Sequence, residues 1–160
     1  MTRRANLNIG SNTGDRRALL ERAVARVSSL SLSEARVSAV VESEPWGFTS
    51  PHRFLNAGVE ITTEMEPLQL LEALLAIQTD ISDAPHRNTD GSYADRLIDI
   101  DLICMEDTVT DTPVLSLPHP RMHLRPFVLI PLCELSPQWV HPRLHMTAAG
   151  LLARLQSAMK

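Results

Sequence analysis

The chain has 160 residues, 44% of them hydrophobic and 21% charged, with a formal net charge of −4. That length suits one domain with a buried core, expected over residues 1–160, and a composition near the globular average excludes global disorder. A mildly acidic chain with no basic run lacks the electrostatic footprint of a nucleic-acid binder, and no stretch reaches the ~18 apolar residues of a membrane span.

Ala5 to Ile9 reads as a first strand, running into the polar turn Gly10-Ser11-Asn12. Beyond Asp15, the residues Leu19, Leu20, Ala23, Val24, Val27 and Leu30 recur at helical spacing and predict an amphipathic helix. Val37, Ala39 and Val41 alternate as a second strand, which ends at Glu44-Pro45-Trp46-Gly47 because proline and glycine break regular pairing. Leu55, Ala57, Val59 and Ile61 predict a third strand. Pro67 suits the first turn of a second helix, carried by Leu68, Leu71, Leu74, Leu75 and Ile81. His86 to Ala94 is a polar loop, and Leu97 to Cys104 a fourth strand. After the proline-rich Leu117-Pro118-His119-Pro120, a short helix is expected from Phe127 to Leu135, and a last one from an N-cap at Thr147. The order β-α-β, β-α-β and a helical tail predicts an α+β fold. Its expected form is a ferredoxin-like split βαβ sandwich with extra C-terminal helices, and with helices on one face of a mainly antiparallel sheet.

Strand side chains alternate faces, so Asp99 and Asp101 share one face of Leu97-Ile98-Asp99-Ile100-Asp101-Leu102 while the isoleucines and leucine face the core. Two carboxylates about 7 Å apart repel unless a cation lies near them, and Mg²⁺ characteristically takes one or two carboxylates plus substrate phosphates. Arg96, just before the strand, adds a guanidinium able to hold a phosphate. A bare pair of this kind is otherwise two solvent-facing aspartates on an edge strand. Phe54 and Asn56 likewise share a non-core face, and an aromatic beside an amide suits a flat heterocycle, by stacking and by hydrogen bonding. Taken alone, Phe54 is equally an exposed strand-start residue. His119, Arg125 and Phe127 offer a titratable donor, a phosphate clamp and a second ring within one segment. His141 and His145 are separated by Pro142 and are assigned no metal. Gly10-Ser11-Asn12 lacks both GxxxxGK[ST] and GxGxxG, which excludes a P-loop or dinucleotide fingerprint.

Five blocks in order resemble the 6-hydroxymethyl-7,8-dihydropterin pyrophosphokinase family of folate biosynthesis. They are Ile9-Gly10-Ser11-Asn12, Glu44-Pro45-Trp46-Gly47-Phe48, Phe54-Leu55-Asn56-Ala57, Asp95-Arg96-Leu97-Ile98-Asp99-Ile100-Asp101-Leu102, and Leu117-Pro118-His119-Pro120-Arg121-Met122 with Arg125-Pro126-Phe127-Val128-Leu129. The resemblance implies a ferredoxin-like enzyme that moves pyrophosphate from ATP to the pterin hydroxymethyl oxygen with two Mg²⁺. By resemblance, Asp99 and Asp101 bind the metal and form the catalytic set with Arg96. Phe54 and Phe127 sandwich the pterin, and Asn56 reads its amide edge with help from Ser43, Glu44 and Trp46. Arg96, His119 and Arg125 contact ATP phosphates, with Leu102 and Ser116 near the nucleoside. The implied partners are the pterin and ATP, without nucleic acid or membrane, and the expected state is a monomer. The isolated Cys104 and Cys133 fit a reducing compartment, and Met1 to Asn6 has no apolar signal region, so a cytoplasmic location is expected.

The segment after the second helix departs from that family pattern. Gln78 stands where a glutamate is usual, Ser82 where a glycine is, and Asp83 and Pro85 fall on two arginine positions. This thins the expected ATP clamp. It keeps open the alternative of a weakened or inactive paralogue that binds pterin or nucleotide. A purely structural interaction domain is the third reading.

Overall fold

The computed structural model describes residues 1–43, 53–82 and 98–159. In chain order the elements are β1 (Arg3–Ser11), α1 (Arg16–Ser28), β2 (Arg36–Val37), β3 (Val41–Ser43), β4 (Phe54–Thr63), α2 (Pro67–Ile81) and β5 (Asp99–Met105). A small hairpin of β6 (Thr110–Asp111) and β7 (Ser116–Leu117) follows, then a 3-10 turn at Met122–Leu124, α3 (Pro126–Leu135) and α4 (Ala148–Ala158). The main sheet runs β2-β4-β1-β5, with β3 continuing alongside β4, and every pairing in it is antiparallel.

β1 is buried over seven successive residues because it is central and covered on both faces. On one face Ala5, Leu7 and Ile9 join Ala57, Val59 and Ile61 of β4 and Ile100 and Leu102 of β5 in the main core. The stripes of α1 (Leu20, Ala23, Val27) and α2 (Leu70, Leu74, Ile77, Ile81) close over it. Each such aliphatic side chain contributes roughly 1.5–3 kcal/mol on burial. Asp15 caps α1 by accepting from the Ala18 amide at 3.2 Å, and Pro67 opens α2 as expected. Thr147 caps α4, its hydroxyl accepting from the Gly150 amide at 3.0 Å.

The helices do not keep to one face. A second core of Ile103, Cys104, Met122, Val128, Leu129, Leu132, Ala148 and Leu151 lies on the other side, under α3 and α4. α3 carries apolar residues nearly all round, which leaves it no polar side to turn to water along the sheet. Pro131 of α3 sits so close above β4 that a Cβ on Gly58 would lie 2.8 Å from the proline Cβ.

The expected second strand is two short strands. Between them the Ser38 hydroxyl accepts the Gly58 amide at 2.8 Å, and the Ala39 amide turns to the Glu134 carboxylate at 3.0 and 3.1 Å. A side chain has replaced a ladder bond there. Along β1 and β5 the register shifts between Asn6 and Leu7, so Ile103 is an extra residue in the β5 ladder.

Candidate active site

Strand register assembles the site in two rows across the face that α3 only partly covers. Asn56 of β4, Gly10 of β1 and Asp99 of β5 stand side by side in one row, and Gly58, Asn8 and Asp101 in the next. Cross-strand neighbours of this kind stand about 4.5–5.5 Å apart. Asp99 and Asp101 are partly exposed, while Ile98, Ile100 and Leu102 point into the main core. The alternation read from the sequence therefore holds in β5.

Gly10 has to be a glycine. A Cβ there would lie 2.8 Å from Asn56 Oδ1 and 3.2 Å from the Phe54 ring. The missing side chain lets the Asn56 amide and the Phe54 ring lean over the centre of the sheet. Asn56 is buried, and its Nδ2 donates to Ser43 Oγ at 2.7 Å, which fixes the way the amide faces. Ser43 is therefore beside the site through β3, next to Phe54 in register. Nearby, Glu42 pairs with Arg16 at 3.1 Å and with Arg53 at 3.0 Å, tying the start of α1 to the ends of β3 and β4.

Near the aspartates, Arg125 caps α3 and Phe127 lies in its first turn. The Arg125 guanidinium lies 5.8 Å from the Phe127 ring centroid, within cation–π range. Burial pulls the Arg125 pKa down, Asp101 pushes it up, and Arg121 and then Asp99 act in opposite senses with smaller effects. The cation thus stands in the field of both carboxylates and stays charged.

His119 is held beside the end of β5, its amide donating to Ile103 O at 2.7 Å. Its Nδ1 accepts from the Arg121 amide at 3.1 Å, so the neutral ring carries its proton on Nε2 as a donor. Burial, followed by the Arg125 and Arg121 charges, pushes its pKa down from 6.5 to about 4. A folded pKa below the unfolded one means that stability held above the unfolded value is lost as pH falls toward the folded one. In the ligand-free protein, ring-nitrogen NMR should show His119 as a neutral Nε2–H tautomer throughout pH 5–8. A His119 titration near 6.5 would contradict this environment.

Ser116 lies on β7, its hydroxyl donating to Asp111 at 3.3 Å. Leu102 is buried in the main core, so it can meet a ligand only through its main chain. Glu44, Trp46 and Arg96 lie outside the described residues, as do Asp83, Pro85 and Tyr93. His141 is buried and its Nδ1 accepts the Arg143 and Leu144 amides at 3.1 and 3.2 Å, a purely structural use. A separate cavity of about 810 Å³ lies at the far end of the same face, beside Asn6, Glu60 and Trp139.

Asn8 was not singled out in the sequence, and Gln78 was named there only as a departure from the family pattern. The departing residue Gln78, near the end of α2, accepts the Ile100 amide through Oε1 at 2.8 Å. It thereby satisfies the outward-facing N–H between the two aspartates on the edge strand. Asn8, buried between Gly58 and Asp101, donates from Nδ2 to Phe127 O at 2.9 Å. Neither bond has a local sequence signal, because the partners are 22 and 119 residues apart.

Residues 6–137 match the family described as 7,8-dihydro-6-hydroxymethylpterin-pyrophosphokinase (HPPK). The chain belongs to this family. It is 40% identical to a 2-amino-4-hydroxy-6-hydroxymethyldihydropteridine pyrophosphokinase of Porphyromonas gingivalis, over 85% of this chain and 92% of that one. Its identity to the Bacillus subtilis protein of the same name is 35%, over 84% of this chain and 78% of the other. In fold it is similar to a Plasmodium falciparum HPPK-DHPS crystal structure, with a TM-score of 0.78 at 15% identity. All of this chain is covered there, but it spans only 45% of that longer chain. The matched residues 6–137 include both rows of the sheet face described above.

Proposed function

We infer that this HPPK-family chain transfers pyrophosphate from ATP to 6-hydroxymethyl-7,8-dihydropterin, releasing AMP. The observation that carries the reading is the convergence on one sheet face of a carboxylate pair, a guanidinium and a ring–amide pair. The pterin lies between the Phe54 and Phe127 rings, with its amide edge on Asn56 and the Ser43–Trp46 segment, Glu44 included. Arg125 and Arg96 hold ATP phosphates, and neutral His119 donates from Nε2 to a phosphate oxygen. Ser116 and the Leu102 main chain flank the nucleoside.

The pterin hydroxymethyl oxygen attacks the β-phosphorus of ATP. The bond from that phosphorus to the bridging oxygen of the α-phosphate breaks, AMP leaves with that oxygen, and the hydroxyl proton passes to solvent. The work falls on positioning and charge neutralisation. Asp99 and Asp101 are hard oxygen donors on a rigid strand, and among the described residues no cluster of three His, Cys, Asp or Glu forms. That donor set fits Mg²⁺, and Asp99 and Asp101 would hold it. Two ions are proposed here. Bound, they would supply positive charge to offset the phosphates and would lower the pKa of the attacking hydroxyl.

The antiparallel sheet and the two crossings through α1 and α2 support a ferredoxin-like split βαβ frame, extended by α3 and α4. We take residues 1–160 as a single domain acting as a cytoplasmic monomer. Among the described residues no helix is long and apolar enough to cross a membrane. The binding-module alternative is not favoured, since Asp99, Asp101, His119 and Arg125 remain together. An assay with hydroxymethyl-dihydropterin, Mg²⁺ and ATP should yield AMP and the pterin pyrophosphate in equal amounts. Pterin binding by fluorescence without any AMP would overturn the enzyme reading.

A further inference from the structure

An α-helix carries each residue's carbonyl to the amide four residues on, and proline has no amide to give. In α3 the proline is Pro131, so the carbonyl it leaves without that bond belongs to Phe127. That same carbonyl receives Asn8 Nδ2 at 2.9 Å. Asn8 is 4% exposed and sits on β1 between Gly58 and Asp101, in the row that carries the second carboxylate. Gly58 is also the residue on which Pro131 rests, its absent side chain allowing the 2.8 Å approach. One proline therefore does two things. It docks the middle of α3 on the sheet, and it turns the Phe127 carbonyl over to a side chain from the site strand.

We propose that Asn8 is a positioning residue for the substrate ring, setting the height and tilt of Phe127 above the sheet by holding its carbonyl. This rests on the reading of Phe127 as a pterin-stacking residue. Asn8 need not touch substrate to act. A buried side-chain donor with one fixed acceptor removes freedom from the first turn of α3, and stacking depends on the ring plane being held before the ligand arrives. The charges of Asp99 and Asp101 are untouched by this bond, so the effect belongs to the pterin side of the reaction.

The test compares Asn8→Ala, Pro131→Ala and the double variant by pterin fluorescence titration and by KM for pterin and for ATP. Asn8→Ala should weaken pterin binding about tenfold, the value of one buried hydrogen bond at the upper end of its range, with KM for ATP unchanged. Pro131→Ala supplies an amide at 131 and so a helical partner for the Phe127 carbonyl. In that background Asn8→Ala should cost less than threefold. A merely structural role would lower the melting temperature and move both KM values together, or leave the two changes additive, and either result overturns the proposal. Should Asn8→Ala fold poorly, Asn8→Ser with a melting curve gives the same comparison. Direct pterin titration works without turnover, so absence of AMP formation would refute the enzyme reading while still deciding the role of Asn8.

Discussion

Asp101→Asn should lower kcat for AMP release by about a thousandfold while leaving the melting temperature nearly unchanged. The side chain keeps its shape, and its neighbours Ile100 and Leu102 anchor the strand from the opposite face. What disappears is one of two negative charges on a face that has no third acidic or histidine ligand among the described residues. A magnesium ion held by a pair loses much of its protein coordination when one member goes. The change lifts the repulsion between the two carboxylates and gives up the attraction between Asp101 and Arg125, and the two effects oppose each other, which is why stability should move little. Direct Mn²⁺ binding followed by paramagnetic resonance would show the weakened metal affinity without relying on activity. Retention of more than a tenth of wild-type turnover would remove Asp101 from the metal role.

Arg125→Ala should act on a different axis. The guanidinium lies in the field of both aspartates and 5.8 Å from the Phe127 ring centroid. Loss of a charge-assisted phosphate contact, about 1.5–3 kcal/mol, should reduce kcat/KM for ATP by roughly 10- to 100-fold. Removing the cation also leaves the two carboxylates more attractive to a metal, so Mn²⁺ affinity without ATP should rise. The opposite signs separate this residue from the aspartates, whose loss lowers both. Arg125→Lys should recover only part of the ATP effect, because an ammonium is a point charge without the planar fork of donors. Equal loss for pterin and ATP would argue that Arg125 supports the loop instead of the phosphate.

How much of this was legible depended on whether the signal was local. The alternation in Leu55–Ile61 and Ile98–Leu102 placed the core and the site on opposite faces, and the structure keeps that division. The Asp99–Asp101 pair was visible for the same reason. Pro67 and Thr147 marked helix starts through their own backbone chemistry. The side on which a helix lands is not local. α3 was readable as a helix, but its placement opposite α1 and α2 follows from the apolar surface formed by Ile103 and Cys104 across the sheet. The short hairpin of β6 and β7 was missed because two residues carry no period. Gln78 looked like a loss in the sequence, since an amide replaced an expected acid. In the fold its oxygen is an acceptor, and the Ile100 amide needs no charge there.

The extra residue at Ile103 has a consequence for change in length. A sheet residue shifted by one place changes face, so an insertion or deletion in one strand ordinarily reverses every side chain beyond it. Ile103 and Cys104 both face the second core, and the ladder resumes with Cys104 opposite Asn6. β5 therefore has two independent phases, one set by Ile98, Ile100 and Leu102 and one set by Cys104 and Met105. The irregularity thereby lets Ile103 and Cys104 face the second core in succession while Asp99 and Asp101 keep their own register on β1.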